Sequence, residues 1–133
     1  MWLVKTEPSE YGYDDLEKAG RATWDGVRNP AALRNLALMK QGDGVIVYHT
    51  GGEKAAVGLA EVAREAYPDP KAKDARLLVV DLVAKARLAR PLSLAEIKAS
   101  PAFATSPLVR QGRLSVVPLS APQWKLLLAG GLP

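Results

Sequence analysis

The chain has 133 residues, 48% of them hydrophobic and 24% charged, the balance of a folded chain near common single-domain size rather than a disordered one. It contains no cysteine and one histidine, which excludes disulfides, thiolate metal sites, a cysteine nucleophile and a multi-histidine metal centre. Eighteen basic against fourteen acidic residues leave a net charge of +4 and a pI of about 9.5, which favours polyanionic partners. No apolar run approaches the roughly 20 residues of a membrane span, and the first residues carry no charged segment followed by a long apolar stretch. A cytoplasmic monomer, one domain over residues 1–133 and without cofactor or metal, is expected.

Trp2 to Thr6 reads as a short strand that stops at Pro8, which has no N–H for a ladder. Alternation puts Lys5 and Glu7 on one face and Thr6 on the other. Asp14 with Glu17 fits a capping box for a short helix over 15–19, ended by Gly20, with Tyr11 and Tyr13 exposed ahead of it. Trp24-Asp25-Gly26-Val27-Arg28-Asn29 reads as a loop. Asn29 and Pro30 then start a helix to about Met39, with Leu33, Leu36 and Ala37 on its core face.

A turn over 41–44 leads to a central strand, 45–50, apolar on both faces. A second turn, 51–54, leads to a pairing strand, 55–62, in which Gly58 marks a bulge or a close backbone approach. Tyr67 to Lys73 is a loop, and 76–88 a strand long enough to require a bend. Ser93 with Glu96 caps a short helix, 101–107 is irregular, and 114–119 is a strand that Pro118 places at an edge or bulge. Ser120 with Gln123 caps a last helix over 124–129, closed by Gly130. Trp2 and Trp124 fall in apolar patterns and belong to the core. Five strands and four short helices, the strands mostly adjacent in sequence, predict an α+β domain around a small mixed sheet or barrel.

The loop at Trp24 sets one flat ring among an acid, a guanidinium and a side-chain amide, a mixture that no core pattern requires. It runs into a helix N-terminus, where backbone N–H groups favour anions. A ring beside an anion-friendly corner suits a nucleobase with its phosphate. Lys5 and Thr6, at a strand end, are candidates for reading a base edge. Only one of Tyr48 and His49 can face the same side, so Tyr48 or its backbone is preferred there and His49 is the alternative. Asn29 is a helix cap that could reach a base only if released. Arg28, Arg110 and Arg113 are the candidate phosphate contacts, whereas Lys71, Lys73 and Arg76 read as a solvated basic loop.

Seven segments, in order along almost the whole chain, resemble the EVE domain, a branch of the PUA-like fold to which the YTH readers of methylated adenine also belong. They are Lys5-Thr6-Glu7-Pro8, Tyr13-Asp14-Asp15-Leu16, Trp24 to Asn29, Met39 through Gly42-Asp43, Tyr48-His49-Thr50, Tyr67-Pro68-Asp69 and Arg113-Leu114-Ser115-Val116. The resemblance implies a PUA-like bent mixed sheet or small β-barrel flanked by short helices, with a pocket for a modified nucleobase. Thr6 stands where the family usually has serine, and Pro30 where it usually has tyrosine. No aromatic in Gly51-Gly52-Glu53-Lys54 replaces the second tryptophan of YTH relatives, which argues against a tight methyl-ammonium cage.

The expected function is non-catalytic binding of a modified base, modified cytosine in DNA first and RNA second, flipped from its stack or offered by a single strand beneath Trp24. One alternative is a hydrolase of the ASCH type built on Lys5, Thr6 and Glu7. Strand alternation separates Lys5 from the Thr6 hydroxyl and counts against it. The other is a generic RNA-binding or interaction module acting through the basic surface.

Overall fold

A computed structural model describes residues 1–129. In chain order the first half contains β1 (Trp2–Thr6), α1 (Pro8–Tyr11), α2 (Tyr13–Ala19), β2 (Arg21–Trp24), α3 (Pro30–Leu38) and β3 (Gly44–His49). Then follow β4 (Ala55–Pro68), β5 (Leu78–Ser93), α4 (Leu94–Ala99), a 3-10 turn (Pro101–Phe103), α5 (Pro107–Arg110), β6 (Val116–Pro118) and α6 (Ala121–Leu128). The six strands form one mixed sheet in the order β2-β5-β4-β3-β1-β6. Only β1 and β3 run parallel, and the other neighbours are antiparallel. The fold is therefore α+β, and the sheet stays open between its edges β2 and β6.

The centre of the sheet follows from composition. Leu3, Val4, Val45, Ile46 and Val47 have no exposed surface, because β1 and β3 are covered on both faces. Pro118 lies in edge strand β6, where its missing N–H leaves no ladder bond unmade. Trp2 is buried and donates from Nε1 to Asp43 at 3.0 Å, while Trp124 lies against Gly44, where an added Cβ would come within 2.3 Å of the indole. The paired strands β4 and β5 shift register at four points. Such bulges add bend and twist, so two strands of 14 and 16 residues curl instead of lying flat.

Several local expectations are corrected. Arg21–Trp24 is a sixth strand where none was expected; it pairs with β5, and Trp24, expected to open the loop, lies at its end. Helix α2 begins at Tyr13, two residues before the expected start. Its box joins Asp15 to the Gly12 N–H at 2.8 Å, while Asp14 and Glu17 turn outward to Arg87. The earlier start is set by tertiary structure, since the Tyr13 N–H donates to His49 Nε2 at 2.9 Å, 36 residues away. Tyr13 is fully buried rather than exposed, its single hydroxyl proton shared between the Leu59 and Ala86 carbonyls and its ring lying against Gly58. In α3 the inward pair is Ala32 and Leu36, and Ala37 is exposed, because the helix rests its i, i+4 row on the sheet. Strand β4 continues through Tyr67 and Pro68, and the stretch 101–107, expected to be irregular, holds the 3-10 turn Pro101–Phe103 and ends where Pro107 opens α5. The expected closure of the last helix by Gly130 lies outside the described residues.

Candidate nucleic-acid interface

A cavity of about 550 Å³ lies where the ends of β1 and β2 approach each other. Three strands separate these two in the sheet, so the curl of β4 and β5 is what brings them together. Lys5, Thr6 and Glu7 line it from the end of β1, and Glu10 and Tyr11 from α1. Trp24 and the chain through Val27 form the opposite side, and Ser115 closes a corner. Because the strand ends at Thr6, successive residues reach the same space from both faces.

Trp24 is only 7% exposed. Position along β2 explains this: Ala22 and Trp24 turn inward while Arg21 and Thr23 turn out. The indole meets the Tyr11 ring edge-on, with centroids 6.1 Å apart and planes at 82°. The ring is thus a fixed wall of the cavity and not a free platform, and Tyr11, read from sequence as an exposed tyrosine, is its support. Val27, buried beside it, adds apolar lining.

Polar groups converge on the same space. Lys5 lines this cavity as well, although its Nζ donates to the Gly112 carbonyl at 3.0 Å, a group of the neighbouring cavity, and burial lowers the pKa of its ammonium. Thr6 Oγ1 donates to the Tyr11 carbonyl at 2.6 Å, which leaves the hydroxyl oxygen as an acceptor. Glu7, Glu10 and Asp25 bring carboxylates to the lining, Glu7 also accepting from Ser9 N–H and Oγ.

Other candidates lie elsewhere. Tyr48 borders a second cavity, shared with Lys5, whose Nζ is 6.0 Å from the Tyr48 ring centroid. His49 points the other way, as alternation requires, and both its ring nitrogens are engaged. Nε2 accepts from Tyr13 N–H, so the proton sits on Nδ1, 2.5 Å from Glu53 Oε1. Asn29 Oδ1 accepts from the Ala31 and Ala32 N–H groups at 2.9 and 3.1 Å, so the side chain fills the anion-friendly corner expected at this helix start. Arg28 borders a third cavity of about 300 Å³ that shares Asp25, Gly26 and Val27 with the first. Arg110 Nε donates to the Ala104 carbonyl at 3.1 Å, and Arg113 is exposed. Among the described residues none of these three arginines makes an ion pair. No cluster of three His, Cys, Asp or Glu among the described residues could hold a metal ion, and no described helix is long and apolar enough to cross a membrane.

One residue that positions the site escaped the sequence reading. Asp81 is a buried acid inside an apolar strand, and that oddity was the signal for it. It accepts from Arg21 Nη2 at 2.8 Å, Thr23 Oγ1 at 3.2 Å and the Tyr67 hydroxyl at 2.5 Å, fastening the edge strand that carries Trp24.

Residues 1–130 match the family model of the EVE domain. The chain belongs to that family. Among curated proteins it is similar to thymocyte nuclear protein 1 of Danio rerio, 28% identical over 163 aligned residues that cover 96% of this chain and 70% of the relative. Among solved structures, one from Rhodopseudomonas palustris is 41% identical, with a TM-score of 0.90 over 98% of this EVE domain and 91% of that chain. Human THYN1, solved in complex with 5-methylcytosine-containing DNA, is 27% identical, with a TM-score of 0.88 over 99% and 97% of the two chains.

Proposed function

We propose that this EVE domain binds nucleic acid without catalysis and reads a modified base, modified cytosine in DNA foremost, in the cavity bordered by Trp24. The observation that carries this reading is the convergence of Lys5, Thr6 and Trp24, three elements apart in sequence, on one cavity of about 550 Å³. The complex of its human relative with methylcytosine DNA points the same way. The lining suits cytosine. A carboxylate is the natural acceptor for its exocyclic amino group, and Glu7, Glu10 and Asp25 offer three. Trp24, Ala22 and Val27 supply apolar contact for the ring and a 5-substituent. Lys5 Nζ donates to the base carbonyl, and Arg28, Arg110 and Arg113 hold flanking phosphates. Extruding a base costs a few kcal/mol, and stacking on one aromatic returns about 1–3 kcal/mol, so edge hydrogen bonds must supply the remainder.

A hydrolase built on Lys5, Thr6 and Glu7 has one feature in its favour, the lowered pKa of Lys5. Against it, Lys5 Nζ and Thr6 Oγ1 are each committed to a different backbone carbonyl rather than to each other. Turnover of a modified nucleoside, lost in Lys5→Ala, would establish hydrolysis.

The test is binding to a matched panel at fixed salt: unmodified, 5-methylcytosine, 5-hydroxymethylcytosine and N6-methyladenine, in DNA and RNA. Wild type should prefer one modified cytosine, and Trp24→Ala should weaken that ligand about tenfold or more and erase the preference. Equal binding across the panel, indifferent to Trp24, sinks the proposal and leaves a basic binding module.

A further inference from the structure

The cavity that Lys5 shares with Tyr48 measures about 200 Å³, room for roughly six or seven waters at about 30 Å³ each. Its charged lining residues are all lysines, with the Glu7 carboxylate lying against the backbone of Gly51, another lining residue. Lys5 comes from β1, Lys54 from the turn ahead of β4, and Lys98 from the end of α4, and no lining residue is acidic. Among the described residues none of the three lysines has an ion-pair partner. The one hydrogen bond from the Lys5 ammonium goes to a neutral carbonyl. A cleft with charge of one sign and apolar walls, here Leu94 and Leu108, concentrates the field and draws a counter-ion.

The backbone at Lys54 is built for this place. Its φ of 47° lies in the left-handed region, uncommon for a residue with a Cβ. The Lys54 carbonyl accepts the Leu94 N–H at 2.8 Å, which ties the turn to the start of α4. Residues kept in such conformations cluster where a side chain must be aimed.

We propose that this cavity holds a backbone phosphate of the same strand whose base enters the Trp24 cavity. Lys5 borders both spaces, so the phosphate belongs to a nucleotide next to the one being read. The inference rests on the base-reading function proposed above. It adds Lys54 and Lys98 to the contacts that set register on the strand, and such contacts carry affinity but no sequence information.

The experiment is salt-dependent binding of a single-stranded oligonucleotide carrying one 5-methylcytosine, its unmodified twin, and a version with neutral methylphosphonates flanking the modified base. The proteins are wild type, the double variant Lys54→Gln/Lys98→Gln, and Lys125→Gln on α6 as a control. Both cavity lysines are exposed, so the double variant should fold as wild type does. It should lose the same factor of affinity for modified and unmodified strands, with a log–log salt slope shallower by about 0.7. Methylphosphonate substitution should weaken wild type by a larger factor than the double variant, which keeps only Lys5 and the arginine contacts. Unchanged affinity and slope in the double variant, with methylcytosine preference intact, would overturn the phosphate site and leave the base reading standing. Wild type without any base preference would instead overturn the base reading, and with it the pairing of the two cavities.

Discussion

At the scale of single residues, the site depends on side chains whose freedom has been removed. Tyr11 presses edge-on against Trp24, so a base entering the cavity as proposed would meet a wall already in place and need not order it. Tyr13 is held by a hydroxyl that sits between two carbonyls, with its ring on Gly58, and a Cβ at Gly58 would come within 2.4 Å of that ring. Gly58→Ala should destabilise the protein by about 3 kcal/mol, near the top of the overpacking range, because the ring has nowhere to move. Urea unfolding measures this, and a loss under about 0.5 kcal/mol would mean that the ring yields. His49 belongs to the same assembly as the acceptor that starts α2. Replacing it with alanine should cost about 1 kcal/mol of stability and leave the preference for a modified base intact, since His49 does not border the Trp24 cavity. Loss of that preference in a stably folded variant would put His49 back in the site.

At the scale of elements, β2 is the weak point, and it carries Trp24, a wall of the cavity proposed to take the base. The strand is four residues long, lies at an edge of the sheet and pairs with β5. Asp81 fastens it. Burial alone would raise the Asp81 pKa, but hydrogen bonds from Tyr67, Arg21 and Thr23 outweigh burial and leave it below the ordinary carboxylate value. A carboxyl with a lowered folded pKa stabilises above its unfolded pKa of about 3.9, and that contribution disappears as the pH falls through the folded value. Asp81→Asn should therefore be less stable than wild type at pH 7 and closer to it at pH 3. Asp43 keeps some acid sensitivity in both, since hydrogen bonds from the Lys40 N–H and Trp2 outweigh its burial and leave its pKa lowered too. Asp81→Ala should lose about 2–4 kcal/mol at pH 7 and release the strand that carries Trp24. Faster amide exchange confined to residues 21–24 would report the release, and unchanged protection there would show that β2 is held by its ladder alone.

At the scale of the whole molecule, affinity and discrimination should separate. The net charge of +4 and Arg28, Arg110 and Arg113, none of them in an ion pair among the described residues, act on any polyanion. If each arginine holds one phosphate, log affinity for a single strand should fall with log salt at a slope near −2 from these contacts. The ratio of modified to unmodified affinity should stay constant across the same titration, because it is set in the cavity and not on the surface. A ratio that collapses with salt would place discrimination on the basic surface instead.

Local chemistry made much of the fold legible. The strand at 2–6, the caps at Asn29, Ser93 and Ser120, the close approach at Gly58 and the edge position of Pro118 each follow from residues within a few positions of one another. The motif order pointed to the EVE family, and Lys5, Thr6 and Trp24, singled out from the chain, line one cavity. What the chain alone did not disclose depends on partners far away in sequence. Strand β2 is too short to show a period and exists because β5 and Asp81 hold it. Tyr13 is buried because Gly58, 45 residues on, leaves space for its ring. The cavity itself arises from four register shifts between β4 and β5 that curl the sheet until β1 meets β2, and no local pattern encodes that distance. Lys54 and Lys98 fall beside Lys5 for the same reason, through long-range pairing that only the folded sheet supplies.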